Sequence, residues 1–273
     1  MTSRTIETGT AQLLCAVRDG VAVITLNRPE ARNALSDELS PALRRMIRAC
    51  GDDPAVGALL LTGTGGAFCA GGDVKGMGGN STRAHLSDAE RLADYKERHG
   101  GLTGALVALR KPTVAALPGA AVGAGLAIAL ACDLRIAGAS AVAATGYTRV
   151  GLSGDYGIAW LMTRAVGASR ARELMLTGER VDAVRGERLG LFHRVVADDR
   201  LQDEAFALAR SLADGPRVAL AAIKDNLDDA PRIDIGAAIA GEAERIIRCS
   251  RTADHNEAVR AFVEKRAPRF TGA

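Results

Sequence analysis

The segment Thr113–Cys132 carries no charged side chain. It is long enough to span a bilayer, yet Pro118-Gly119 splits it and Gly123 and Gly125 follow. Its Ala and Gly residues supply little of the transfer free energy that Leu or Phe would give in lipid. The segment therefore reads as a short buried strand over Thr113–Leu117, a Gly-rich turn, and a buried helix over Ala124–Cys132. Such a core forms only where backbones approach closely. The composition agrees, with 31 glycines and 3% aromatic residues, leaving few large rings to fill space.

The length of 273 residues and 48% apolar content suit one large domain, or one domain with a helical appendage, and exclude wholesale disorder. Lys plus Arg (35) nearly balance Asp plus Glu (32), which leaves no nucleic-acid footprint. Cys15, Cys50, Cys69, Cys132 and Cys249 form no C-x-x-C pair, a pattern that suits reduced thiols in the cytoplasm. His85, His99, His193 and His255 lack zinc-ligand spacing, so no metal is expected. The N-terminal residues lack the apolar run of a signal peptide.

Along the chain, Leu13–Arg18 and Val21–Leu26 flank Asp19-Gly20, a strong hairpin signal. Ser36 reads as a helix cap, followed by the stripe Leu39, Leu43, Met46, Ile47 and Cys50, which Gly51 closes. Val56–Leu61 is a buried strand. Ser87-Asp-Ala-Glu90 is a capping box, and its helix is expected to be interrupted at Gly100-Gly101. Leu134–Ile136 and Val142–Ala144 are further strands. Helical periodicity dominates from Asp155 onward. The fold class expected is α/β, with a core over residues 1–200 and a helical region over 201–273.

Two loops share one design, a buried strand followed by small residues: Phe68-Cys-Ala-Gly-Gly72-Asp73 and Gly119-Ala-Ala-Val-Gly-Ala124-Gly125. Loops of this kind present bare backbone N–H groups to an anion or a developing oxyanion. Taken singly, either reads first as a tight turn in an Ala/Gly-packed core. The spacing Gly119, Gly123, Gly125 also fits the dinucleotide motif of short-chain dehydrogenases. That motif belongs at the N-terminus, however, and no Lys stands four residues after Tyr95, Tyr147 or Tyr156.

These loops occur together with Asn27-Arg-Pro-Glu-Ala-Arg-Asn-Ala-Leu35, Leu61-Thr-Gly-Thr-Gly-Gly, Lys111-Pro-Thr-Val-Ala-Ala, Ala131-Cys-Asp133, Gly151-Leu-Ser-Gly-Asp155 and Glu257-Ala-Val-Arg-Ala-Phe-Val-Glu-Lys265. The set, in this order and over nearly the whole chain, resembles the crotonase (enoyl-CoA hydratase/isomerase) superfamily. The resemblance implies a spiral of ββα units with a C-terminal helical trimerisation region, assembled as a homotrimer or a dimer of trimers. It implies an acyl-CoA thioester as substrate, with coenzyme A part of that substrate and no separate cofactor. Gly72 and Ala124 then fall where backbone N–H groups stabilise a thioester enolate. Ala34, Ala70, Asp73 and Val74 fall where family members contact the CoA. Phe262 and Lys265 fall where a C-terminal helix, often a neighbour's, meets it; for Lys265 a solvated helix charge is the plain alternative.

The family's hydratases carry two catalytic glutamates, and Ala127 and Tyr147 occupy those positions here. Adding water across a double bond needs a base and an acid, and neither residue supplies a glutamate's chemistry. Asp155 remains, at a position where isomerase and dehalogenase branches of the family keep a catalytic Asp. Its plain alternative is an N-cap for a helix starting at Tyr156. The leading expectation is an isomerase with Asp155 as acid/base and Tyr147 lining the pocket. A hydratase using a non-standard base and a catalytically silent acyl-CoA binding protein are the alternatives.

Overall fold

A computed structural model of the chain describes residues 3–73 and 85–272. Strands β1 (Ser3–Thr5), β2 (Leu13–Arg18), β3 (Val21–Leu26), β4 (Ala58–Gly63), β6 (Thr113–Leu117), β8 (Leu134–Gly138) and β11 (Arg194–Val196) form a seven-stranded sheet in the order β1-β2-β3-β4-β6-β8-β11. Strands β10 (Arg180–Asp182), β9 (Val142–Ala144), β7 (Ala120–Val122) and β5 (Ala67–Cys69) form a smaller sheet in the order β10-β9-β7-β5. The Asp19-Gly20 hairpin pairs β2 with β3 antiparallel; from β3 across to β11 the large sheet is parallel.

The two strand orders define the architecture. Strands β4, β6 and β8 are neighbours in the large sheet, while β5, β7 and β9 are neighbours in the small one. The chain thus runs large sheet, small sheet, helix, and repeats. The helices are α1 (Leu39–Asp52), α2 (Asp88–His99), α3 (Ala105–Ala108), α4 (Ala124–Ala131), α5 (Ile158–Thr177), α6 (Ala183–Leu189), α7 (Leu201–Ala213), α8 (Arg217–Asp229), α9 (Ile235–Ser250) and α10 (Ala253–Val263). Parallel neighbours need crossovers of this kind, and stacking them yields the ββα spiral.

The uncharged segment resolves into β6, β7 and α4, the last with every residue buried. Among the described residues no helix is long and apolar enough to cross a membrane. Asp133 explains its own motif structurally. Its Oδ2 accepts from Thr113 N at 2.8 Å and Thr113 Oγ1 at 2.9 Å, and Lys224 lies 2.7 Å away. It therefore clamps the start of β6 to the start of β8.

Two local expectations change. Gly100-Gly101 does not end its helix: the chain continues from α2 through a π-helical turn, Gly100–Gly104, into α3. Leu201, Ala205, Ala209 and Ala213 on α7 pack with Val21, Ala58, Leu60, Val114 and Ile136 of the large sheet, so the first helix past residue 200 belongs to the core. By contrast, α9 buries none of its residues in this chain, and Ile235, Ile239, Ile246 and Ile247 stand exposed along it.

Candidate active site

The three loops that carry the candidate residues leave the C-terminal ends of adjacent parallel strands. Residues 70–73 follow β5, Gly123-Ala124 follow β7, and the stretch holding Tyr147 and Asp155 follows β9. The carboxyl end of a parallel sheet is where α/β folds gather ligand-binding loops. Successive turns of the spiral therefore deliver one component each to the same edge.

The first loop is anchored by a single parallel bridge between Leu35 and Gly72. Leu35 N donates to Gly71 O at 2.8 Å and Asp73 N donates to Leu35 O at 3.2 Å. That pattern uses the amides on either side of Gly72 and turns Gly72's own N–H the other way. In the second loop Gly123 N donates to Ala144 O at 3.0 Å, and the first helical bond runs from Ala127 N to Gly123 O at 3.0 Å. Ala124 is the first residue of α4, so its N–H has no intrahelical acceptor, and it sits at the positive end of the helix dipole. The two loops touch. Gly71 (φ +94°) lies so close to Val122 that a Cβ there would stand 2.8 Å from Val122 O and 3.7 Å from Ala124 N. At Gly125 a Cβ would stand 2.2 Å from Cys69 O, so only glycine lets α4 dock on the end of β5.

The third loop brings the carboxylate. Tyr147 Oη–H donates to Asp155 Oδ1 at 2.6 Å. The same phenol lies over the second loop, 3.8 Å from where a Cβ on Gly123 would be. Burial, and then the charge of Asp155, push the Tyr147 phenol well above its usual range. It stays protonated and acts as a donor that fixes the carboxylate. Asp155 is not a helix cap: α5 begins at Ile158 behind Gly157 (φ +72°), with no side-chain cap bond. The half-buried carboxylate is instead committed to Tyr147. Ala127 is fully buried in α4, so no carboxylate is contributed from that position.

Of the expected CoA-contacting residues, Ala34, Ala70 and Asp73 share the first loop's anchor. Ala70 N donates to Arg32 O at 3.0 Å, and Arg28 Nη1 bridges Ala34 O at 3.3 Å and Asp73 Oδ2 at 2.7 Å. Val74 lies outside the described residues, as does much of the stretch after it. Phe262 sits on α10, 86% exposed, and Lys265 follows just beyond that helix with φ +55°. Both are at the surface, on and just beyond a helix that packs against α9.

Two contributors were not singled out from sequence. Asn33 is completely buried with φ +57°. Its Nδ2 donates to Thr64 O at 2.9 Å and Ala67 O at 2.8 Å, while its Oδ1 accepts from Arg28 N at 2.8 Å. It ties the segment that carries Leu35 to the turn before β5, and so supports the Leu35–Gly72 bridge. Asn33→Ala leaves the buried Ala67 carbonyl and the half-buried Thr64 carbonyl and Arg28 amide without this partner, and places Ala in a left-handed conformation. A loss on the order of 3 kcal/mol is expected, read as a lower denaturation midpoint in urea with an unchanged slope. The second is His99, whose ring lies 4.0 Å from that of Tyr156, centroid to centroid. Beside them opens a cleft of about 520 Å³, lined in part by Thr103, Val107, Tyr156, Trp160 and Leu161. Cys69, at the base of the first loop, has its thiol pushed up to about 12 by burial, so it offers no thiolate nucleophile.

The arrangement sets the first amide loop against the second, with Tyr147 and the carboxylate it holds over the Gly123 turn. The family model described as Enoyl-CoA hydratase/isomerase matches residues 16–273. The chain is 36% identical over 261 residues to the 1,2-epoxyphenylacetyl-CoA isomerase of Escherichia coli (strain K12), covering 95% of this chain and 98% of that one. It is likewise 36% identical over 258 residues to the enoyl-CoA hydratase domain-containing protein 2, mitochondrial, of Homo sapiens, covering 93% of this chain and 86% of the relative. The crystal structure of an enoyl-CoA hydratase from Polaromonas sp. JS666 superposes with a TM-score of 0.87 at 32% identity, covering 95% of this chain and 99% of that chain. Isomerase and hydratase names stand side by side among these relatives. With the motifs, the ββα spiral and the full-length matches in agreement, the chain belongs to the enoyl-CoA hydratase/isomerase, or crotonase, family.

Proposed function

We propose that this protein is an acyl-CoA isomerase, in which the amides of Gly72 and Ala124 hold the thioester oxygen and Asp155 moves the proton. The observation that carries the reading is the 2.6 Å bond from Tyr147 Oη to Asp155 Oδ1, set over the Gly123-Ala124 turn. A phenol that stays protonated holds one carboxylate oxygen and leaves the other to accept a proton. On the family resemblance, Ala127 and Tyr147 replace both hydration glutamates, so the residues that would activate and protonate around a water are absent from those positions. A single carboxylate suffices for a shuttle. It removes a proton near the thioester, the enolate charge goes to the two amides, and the proton returns at another carbon of the same delocalised system.

Backbone donors aimed at developing negative charge are worth on the order of 3 kcal/mol each in acyl chemistry. The donor positions need no side chain, so Ala at position 124 serves as well as Gly. The exposed isoleucines of α9, with Phe262 and Val263, form an apolar surface of the kind that other copies of a chain cover. The reading includes assembly as a homotrimer or dimer of trimers, with Phe262 and Lys265 brought to a neighbour's CoA.

The test is a panel of 3-enoyl-, dienoyl- and ring-epoxide-CoA esters scored for double-bond or ring isomerisation, alongside crotonyl-CoA scored for hydration. Isomerised product with background hydration is expected. Hydration above background with no isomerisation would favour the hydratase, and tight binding with no α-proton exchange in heavy water would favour a silent binding protein.

A further inference from the structure

Two buried thiols take no part in the chemistry above. Cys15 on β2 and Cys50 in the last turn of α1, 35 residues apart in the chain, bring their sulfurs to 3.7 Å. Both are free and buried. A disulfide holds its sulfurs about 2.05 Å apart, so bonding needs this pair to close by about 1.7 Å. Modest rotation about the two Cα–Cβ bonds covers that distance.

The surroundings make the two thiols unequal. The Cys15 thiol donates to Cys50, and that bond, joined by the positive charges of Lys111 and Arg4, outweighs burial and holds the Cys50 thiol below its ordinary pKa. The same bond, and then burial, push Cys15 up. Lys111 is fixed in place, its Nζ donating to the carbonyls of Cys50 at 3.0 Å and Asp53 at 2.6 Å. Arg4 pairs with Asp53, just past the end of α1. One sulfur is thus set as a nucleophile and its neighbour as the thiol that resolves the product. Cys69 and Cys132 differ, since burial pushes each thiol up to about 12. The pair also lies near an edge. Beyond β2 the large sheet holds only β1, three exposed residues. A short terminal edge strand opens at low free energy, and its opening brings solvent to the strand that carries Cys15.

We propose that Cys15 and Cys50 form a redox latch, which a hydroperoxide oxidises to a disulfide tying the N-terminal hairpin to α1. Cys50 Sγ, as thiolate, attacks one peroxide oxygen. An S–O bond forms, the O–O bond breaks, and the departing hydroxide takes up the proton that Cys50 released, leaving as water. Cys15 Sγ then attacks Cys50 Sγ of the sulfenic acid. The S–S bond forms, the S–O bond breaks, and hydroxide leaves with the Cys15 proton as a second water. The two sulfurs together lose two electrons and the peroxide gains them. A dithiol reductant reverses the bond by exchange. The closed ring spans residues 15–50 and so includes Asn33 and Leu35, which anchor the first amide loop.

The experiment treats the reduced protein with hydrogen peroxide, denatures it, alkylates it with N-ethylmaleimide and maps the peptides by mass spectrometry without a reductant. A peptide pair joined through Cys15 and Cys50 is expected, with Cys69 and Cys132 alkylated, and dithiothreitol should return both thiols. The urea midpoint of the oxidised protein should lie above that of the reduced protein, because the cross-link restricts the unfolded chain. In Cys15→Ser the sulfenic acid at Cys50 should persist and be trapped by dimedone. Wild-type protein whose Cys15 and Cys50 stay alkylatable after peroxide overturns the latch, whether or not the variant folds. A disulfide joining either of them to Cys249, or a Cys15–Cys50 bond that leaves the midpoint no higher, does the same. A folded Cys15→Ser protein with no dimedone adduct at Cys50 overturns the roles given to the two sulfurs.

Discussion

Asp155→Asn is expected to reduce isomerase turnover by about 10²–10⁴-fold, the range over which a positioned acid/base group contributes. The amide keeps an oxygen that accepts from Tyr147 Oη, so the 2.6 Å contact and the shape of the loop persist, but it cannot take a proton. Binding of an acyl-CoA and the thermal midpoint should stay close to wild type, because the carboxylate neither caps α5 nor lies in the buried core. The loss should fall on kcat rather than KM, since the proton is moved in the transition state and not on binding. Calorimetry and steady-state kinetics on the same preparation make the comparison. A variant with full turnover would remove Asp155 from the chemistry.

The second large effect concerns a main-chain donor, which only a substitution by proline removes. Ala124 is the first residue of α4 and Gly123 its cap. Proline is well tolerated at a first helical position because that N–H has no intrahelical acceptor. Ala124→Pro therefore deletes one candidate oxyanion donor while leaving the helix start in place. A fall in kcat of about 10²–10³-fold is expected, the cost of removing one such donor. Ala124→Gly, which keeps the N–H, should stay within about threefold of wild type on the same grounds. Circular dichroism and the urea midpoint distinguish a lost donor from a lost fold. If the proline variant is as active as the glycine variant, the amide of residue 124 does not serve the reaction.

The parts of this molecule that were readable from the chain are those encoded over a few neighbouring residues. Asp19-Gly20 specified its hairpin, and the strand-then-glycine rhythm marked both amide loops, because each depends on local backbone freedom. The Ser87–Glu90 capping box likewise formed as read, with both of its bonds in place. What escaped depends on residues distant in sequence. At Asp155, expected as the acid/base, the residues alone left a helix cap open as the alternative; the left-handed Gly157, which moves the helix start to Ile158, is visible only in the fold. Gly100-Gly101 looked like a break, yet packing carries the chain through as a π turn. His99 had no distinguishing neighbours in sequence, since Tyr156, whose ring packs on it, arrives from two turns of the spiral later. Asn33 was visible as part of a motif, but its role as a buried three-bond tie appears only where Thr64 and Ala67 fold over it.

Polarisation of a thioester carbonyl by two main-chain amides is the central chemical event, and the most direct measurement of it is the vibrational spectrum of that bond. Isotope-edited infrared difference spectroscopy of a ¹³C=O-labelled saturated acyl-CoA bound to the protein reports it without turnover. The stretch should move to lower wavenumber on binding to the wild type, and Ala124→Pro should reverse much of that shift at equal occupancy. A bound carbonyl that absorbs at its free-solution frequency in the wild type would contradict the account.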